Sequence, residues 1–261
     1  MLALASVVLL VLTRAAPIPR GAVPRAMLAA WFLVLLVILS TMGALIVARR
    51  PGNRIGWSFV AAGLGLALRA FASEYAIYAL LINPGSLPGG AWLAWVSTWL
   101  TIPAIYSAFA ALLLVFPTGR LPSPRWRPVA WMVVGWIAGV TVGNFTSPPD
   151  PYLGVEAPVR INQAAGQIMT TIGSLAWFLV ALAIPAAAGS LVVRFRRSRG
   201  QERQQLKWLA YSAALLGVGL LGIGLVDILD QLGWVRRQST RPVWTVLGGV
   251  AILGVTGLPV T

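Results

Sequence analysis

Apolar and polar positions along the chain fall into long apolar runs, separated by short connections dense in arginine, proline and glycine. Clear runs cover 26–48, 55–82, 91–116, 129–145, 167–193, 208–229 and 243–260. An α-helix needs roughly 20 apolar residues to cross a bilayer's hydrocarbon core, and each run approaches or exceeds that. The first run, 2–13, is shorter. It reaches a full span only if 14–19 join it and Arg14 extends its guanidinium to the interface. The pattern predicts an all-α, polytopic transmembrane helix bundle of seven or eight helices. A β-barrel would show alternating segments of about ten residues, and these runs are continuous.

The connections end helices and force turns. They include Arg49-Arg50-Pro51-Gly52-Asn53-Arg54, the proline- and glycine-rich stretch 83–90, and 117–128. The longest, about 146–166, is too short for a soluble domain. Residues 1–261 are therefore expected to form a single integral-membrane helical domain with no soluble domain. No internal repeat is visible, which counts against an inverted-repeat transporter.

Composition narrows the chemistry. The chain is 58% hydrophobic and 10% charged, against about 45–50% and about 25% in an average soluble domain. It has no histidine and no cysteine. That excludes imidazole or thiolate metal sites, a Ser-His-Asp or Cys-His centre and a phosphoacceptor histidine. No catalytic residue, cofactor or metal ligand is expected. The carboxylates are six: Glu74, Asp150, Glu156, Glu202, Asp227 and Asp230. Of 20 basic residues only Lys207 is lysine. Arginine bias with abundant Ala, Gly and Pro fits a GC-rich bacterial genome.

Arginine placement sets an expected orientation, because basic loops stay cytoplasmic. Three alternate loops are basic: 49–54, 117–128 and 194–207. The loops between them, 83–90 and 146–166, are poor in Arg and Lys. The chain is thus expected in a bacterial plasma membrane, multi-pass, with a cytoplasmic C-terminus. Arg14, Arg20, Arg25, Arg236, Arg237 and Arg241 run against this assignment. No basic residue precedes the first apolar run, so a secretory signal is not expected. The last run ends one residue before the chain does, with no basic flank. This leads to the expectation that the chain is the membrane part of something longer, or a product cut short.

Four charged residues form the candidate polar cluster. Arg69 lies about 14 positions into its run, roughly 21 Å deep. A charge at mid-helix costs about 2.5–3.5 kcal/mol on insertion scales, so it should face protein or water and have a partner. Asp227 is the expected partner, with Glu74 and Asp230 nearby, as a ligand or ion site or as an ion pair locking two helices. Trp92, Trp95 and Trp99 fall on one helical face, with Tyr75 and Tyr78 just before the preceding loop. Interfacial anchoring accounts for them, and an aromatic-walled pocket is the alternative. Arg194, Arg196, Arg197, Arg199, Arg203 and Lys207 form a run suited to anionic lipid headgroups. The same run serves equally as an orientation signal. Gly217-Val218-Gly219-Leu220-Leu221-Gly222 matches a dinucleotide fingerprint but sits inside an apolar run, with no strand before it. Small residues that let helices approach explain it better.

Three segments carry a resemblance. They are Arg49-Arg50-Pro51-Gly52-Asn53-Arg54-Ile55-Gly56-Trp57, the stretch from Phe116-Pro117-Thr118-Gly119-Arg120 to Arg127-Pro128, and Glu202-Arg203-Gln204-Gln205-Leu206-Lys207-Trp208-Leu209. In order and spacing they resemble the multi-pass N-terminal membrane (sensor) region of actinobacterial-type two-component sensor histidine kinases. The resemblance covers nearly the whole chain. It implies that a cytoplasmic linker, a dimerising histidine-bearing helix pair and an ATP-binding domain follow the bundle. No catalytic residue carries over, because the chain has no histidine.

The expected function is a membrane-embedded input module for such a kinase, not itself an enzyme. Its expected partners are the lipid bilayer, a cytoplasmic kinase domain or response-regulator pathway, and a second copy of the chain; nucleic acid is not among them. The alternative is a small transporter or permease-like subunit using Arg69 and Asp227.

Overall fold

The computed structural model describes residues 1–17, 25–115, 120, 121, 123–147, 149, 153–159, 161–197, 211, 218, 222, 225, 226, 229, 233 and 234. Among them the secondary structure is helical, with no strand. The elements are α1 (Leu2–Leu12), α2 (Arg25–Arg49), α3 (Arg54–Ile77, continued by a π-turn Tyr78–Ile82), α4 (Gly90–Trp99), α5 (Thr101–Val115), a 3-10 turn Pro124–Trp126, α6 (Arg127–Phe145) and α7 (Gln163–Arg197). Only Leu100 separates α4 from α5, and backbone bonds Leu100 N to Val96 O and Ala104 N to Leu100 O carry across it. The two are halves of one broken helix. The described residues thus hold six helical segments where seven or eight were expected. Of the expected last two spans, 208–229 is described only at isolated positions and 243–260 lies outside the described residues.

Among the described residues, three stretches are long and apolar enough to cross a membrane: Ala29–Arg49, Arg54–Ile82 and Pro124–Phe145. The first run is not one of them. Helix α1 stops at Leu12, and Thr13 to Ala15 form a turn, so 14–17 do not lengthen it; 18 and 19 lie outside the described residues. Its 11 residues reach about 16 Å, half a hydrocarbon core.

Residue contacts divide the chain into two units, 1–109 with 137–173, and 110–136 with 174–261. In the first unit α2 and α3 form a hairpin. Its turn is fixed by Asn53, whose side-chain oxygen accepts from the Ile55 amide at 2.9 Å, and by Trp57 Nε1 donating to Pro51 O at 2.8 Å. Asn53 satisfies one of the amides left without a partner at the start of α3. Substituting alanine there should cost about 1 kcal/mol, read as a lowered thermal midpoint of the detergent-solubilised protein. An unchanged midpoint would mean that Trp57 alone holds the turn.

Small residues bring the two helices together. A Cβ on Gly43 would stand 2.7 Å from Val60 N, one on Gly56 2.8 Å from Ile46 Cγ2, and one on Gly63 3.2 Å from the Ser40 Cα. Leu35, Leu36 and Leu39 of α2, with Ile55, Phe59, Ala62 and Leu66 of α3, are buried. The opposite faces are apolar too: Val34, Val37 and Leu45 of α2 and Leu64 of α3 are exposed. Gly89 enters α4 at φ +77°, a conformation glycine adopts without strain. Ala76, Ile77, Ala94 and Leu153 form a second apolar cluster, against which Ala16, Leu80 and Leu81 pack. In the second unit Trp136 meets Trp177 edge-on at 6.3 Å between ring centres.

Candidate functional site

The most polar buried point among the described residues lies where α1, α2 and α3 meet. Glu74 of α3 is buried, with a side chain 10% exposed, and forms an ion pair through Oε2 with Arg25 Nη2 at the start of α2. Thr13, fully buried at the end of α1, stands between them. Its Oγ1 is 2.7 Å from Glu74 Oε2 and accepts from Arg25 Nη2 at 2.7 Å, while Arg25 Nη1 donates to the Thr13 carbonyl at 2.9 Å.

The Thr13 hydroxyl has one proton and three acceptors in reach: Glu74 Oε2, Leu9 O at 2.8 Å and Leu10 O at 3.3 Å. A carboxylate is the strongest acceptor of the three, so the proton goes to Glu74. The guanidinium then holds the carboxylate, the hydroxyl and the final carbonyl of the α1 turn together. A cation at a helix C-terminus is favoured by the aligned peptide dipoles, and one at an N-terminus is disfavoured. Arg25 is in both positions at once, and Glu74 supplies the compensating charge.

Arg69 has a different environment. Its Nε donates to Thr101 Oγ1 of α5 at 3.0 Å, and its guanidinium carbon stands 4.2 Å above the Phe32 ring of α2. Thr101 and Phe32 thus hold the mid-helix charge by a hydrogen bond and a cation–π contact. Five residues along a helix turn the direction by about 140°. Glu74 and Arg69 accordingly point away from each other. The expected cluster members Asp227 and Asp230 lie outside the described residues.

The aromatic residues gather beside Phe145. Trp95 is buried, donates from Nε1 to Phe145 O at 3.0 Å, and meets Trp92, Trp99 and Phe145 edge-on. Trp99 stacks on Phe145 with centroids 4.5 Å apart. Trp92 remains exposed. Tyr75 donates to Pro88 O at 2.8 Å, tying the end of α3 to the following loop. Trp95, Trp99 and Phe145 pack against one another as a knot between α4 and the end of α6.

Of the expected lipid-contact residues, Arg194, Arg196 and Arg197 lie in the last turn of α7, with Arg196 exposed. Arg199, Arg203 and Lys207 lie outside the described residues. Sequence reasoning picked Glu74 but missed Arg25 and Thr13. Arg25 had one usable signal: as a basic residue on the side expected to be poor in charge, it needed a partner. The chain matches no family model, no curated protein and no solved structure.

Proposed function

We propose that the chain is the membrane-embedded input module of a two-component sensor kinase, built as a multi-pass helix bundle with its arginine-rich turns in the cytoplasm. The observation that carries the reading is the Arg25–Glu74–Thr13 cluster. Three helices converge on one carboxylate, so a displacement of any of them changes the pairing of the other two. Such a site suits a signal passed on as helix displacement. A stimulus acts only through its different affinity for two arrangements of the bundle.

The exposed apolar faces of α1, α2 and α3 support a lipid surrounding. The three arginine-bearing segments quoted above support the kinase association. The chain has no histidine, so phosphotransfer belongs to a histidine-bearing domain outside these residues. Under this reading two copies pair through that domain. The pairing of Arg25 with Glu74 also removes one of the charges that ran against the orientation.

The test is a fusion of the chain to a cytoplasmic histidine kinase core, reconstituted in vesicles. Glu74→Gln should change autophosphorylation by about fivefold or more, the low end of ordinary coupling between sites. The rival reading is a small transporter subunit, favoured by the charge at Arg69 inside an apolar helix. Unchanged phosphorylation, together with an ion or proton flux through vesicles holding the chain alone, would decide for transport.

A further inference from the structure

Helix α1 is held differently from its neighbours. Hairpin α2–α3 is closed by glycines and a row of buried Leu, Ile and Phe side chains. Helix α1 contributes no buried large apolar side chain. Its buried residues, with the turn that follows, are Ser6 and Thr13, seven apart and therefore on one face. Its other faces present Leu4, Val7, Val8, Val11 and Leu12 outward. This helix keeps hydroxyls inside and aliphatic side chains outside, the reverse of a helix packed in water.

The hydroxyl of Ser6 is satisfied within α1, by Leu2 O at 2.8 Å. Among the described residues, the side-chain hydrogen bonds that tie α1 and its turn to other helices are those of Thr13 with Glu74 and Arg25. In lipid, burying aliphatic surface gives little net attraction, because the acyl chains are as apolar as leucine. Hydrogen bonds to charged groups are then the main restraint on this short helix.

We infer that the Arg25–Glu74–Thr13 cluster is a latch that docks the half-depth helix α1 on α3, and that opening it releases α1 while the α2–α3 hairpin stays closed. The latch rests on geometry alone and holds whether the protein signals or transports. Closed, Arg25 bridges the end of α1 to α3. With Glu74 neutralised, Arg25 loses its counter-charge, Thr13 loses its anionic acceptor, and α1 keeps only contacts of half-buried residues such as Leu2, Leu9 and Leu10. The latch couples the position of α1 to the charge state of one carboxylate.

The chain has no cysteine, so two introduced thiols are the only ones present. A pair A16C/A76C lies within one apolar cluster and reports α1 docking. A pair I46C/G56C reports the hairpin, since a Cβ on Gly56 would stand 3.1 Å from Ile46 Cβ. The chain in phosphatidylethanolamine–phosphatidylglycerol vesicles is treated with a short bis-maleimide, which adds one thiol at each end. Glu74→Gln should lower the rate of A16C/A76C cross-linking about tenfold, the worth of one charge-assisted hydrogen bond. Thr13→Val, which keeps the side chain's volume, should lower it about threefold, with I46C/G56C cross-linking unchanged in both. Undiminished A16C/A76C cross-linking in both variants overturns the latch. So does loss of I46C/G56C cross-linking in Glu74→Gln, which would make the ion pair a lock on the whole bundle.

Discussion

Replacing Trp95 with alanine should cost the first unit about 3 kcal/mol. The residue is 7% exposed, touches three aromatic rings, and donates to the Phe145 carbonyl at 3.0 Å. For a site in or near lipid the transfer part of that figure is small, because hydrocarbon solvates an indole ring whether or not it is packed. The loss comes instead from a cavity between α4 and α6 and from a carbonyl left without its donor. Trp95→Phe separates the two contributions. It keeps a ring against Trp99 and Phe145 and removes the N–H, so it should cost about 1 kcal/mol. Reversible unfolding in a denaturing-detergent titration measures both. Equal losses in the two variants would show that the hydrogen bond, not the ring packing, holds α4 to the end of α6.

The same region shows where sequence reasoning succeeds. The runs 26–48 and 129–145 nearly coincide with α2 and α6, and 55–82 with α3 and its π-turn, because apolar runs between breakers measure helix length directly. The run 91–116 hid a break. Pro103 has no amide hydrogen, and its ring collides with the carbonyl four residues back, at Trp99. The helix therefore breaks at Leu100, leaving the proline in the first turn of α5. The signal was present in one residue but was masked by the uniform hydrophobicity around it. The opposite happened at α1, where a possible extension through 14–19 relied on apolar content. The Thr13 amide makes the last bond of the helix, to Leu9 O, its hydroxyl goes to Glu74, and the chain turns.

The candidate site was less legible, because its partners are far apart in sequence. Arg25 precedes Glu74 by 49 positions, and Thr13 precedes it by 61. No helical period connects such residues; only the antiparallel return of α2 against α3 and the stopping point of α1 bring them together. For Arg69 the expectation that a mid-helix charge needs partners was sound. Thr101 and Phe32 among those partners could not be read from a list of acids, since one is a hydroxyl and the other a ring face.

A third contact, between α6 and α7, gives the sharpest steric prediction. A Cβ on Gly143 would stand 2.7 Å from the Gly173 Cα, and one on Gly173 would stand 2.8 Å from the Gly143 Cα. Backbone meets backbone here, so no side chain can rotate away to make room. Gly139-Val140-Thr141-Val142-Gly143 has the four-residue spacing that lets helices approach closely. Gly173→Val should therefore force the two helices apart and cost about 3 kcal/mol, the upper end for overpacking. Gly143→Ala should cost about 2 kcal/mol, because a single methyl already overlaps the facing Cα. Gly166, in the first turns of the same α7, has nothing within 4 Å of its would-be Cβ. Alanine there should instead stabilise by about 0.5–1 kcal/mol, since it restricts the unfolded chain without meeting an obstacle. The three variants share one measurement, the denaturing-detergent midpoint, and their opposite signs separate contact from helix propensity. If Gly173→Val and Gly166→Ala shifted the midpoint alike, propensity alone would account for both, and the close approach of α6 and α7 would not exist in the folded protein.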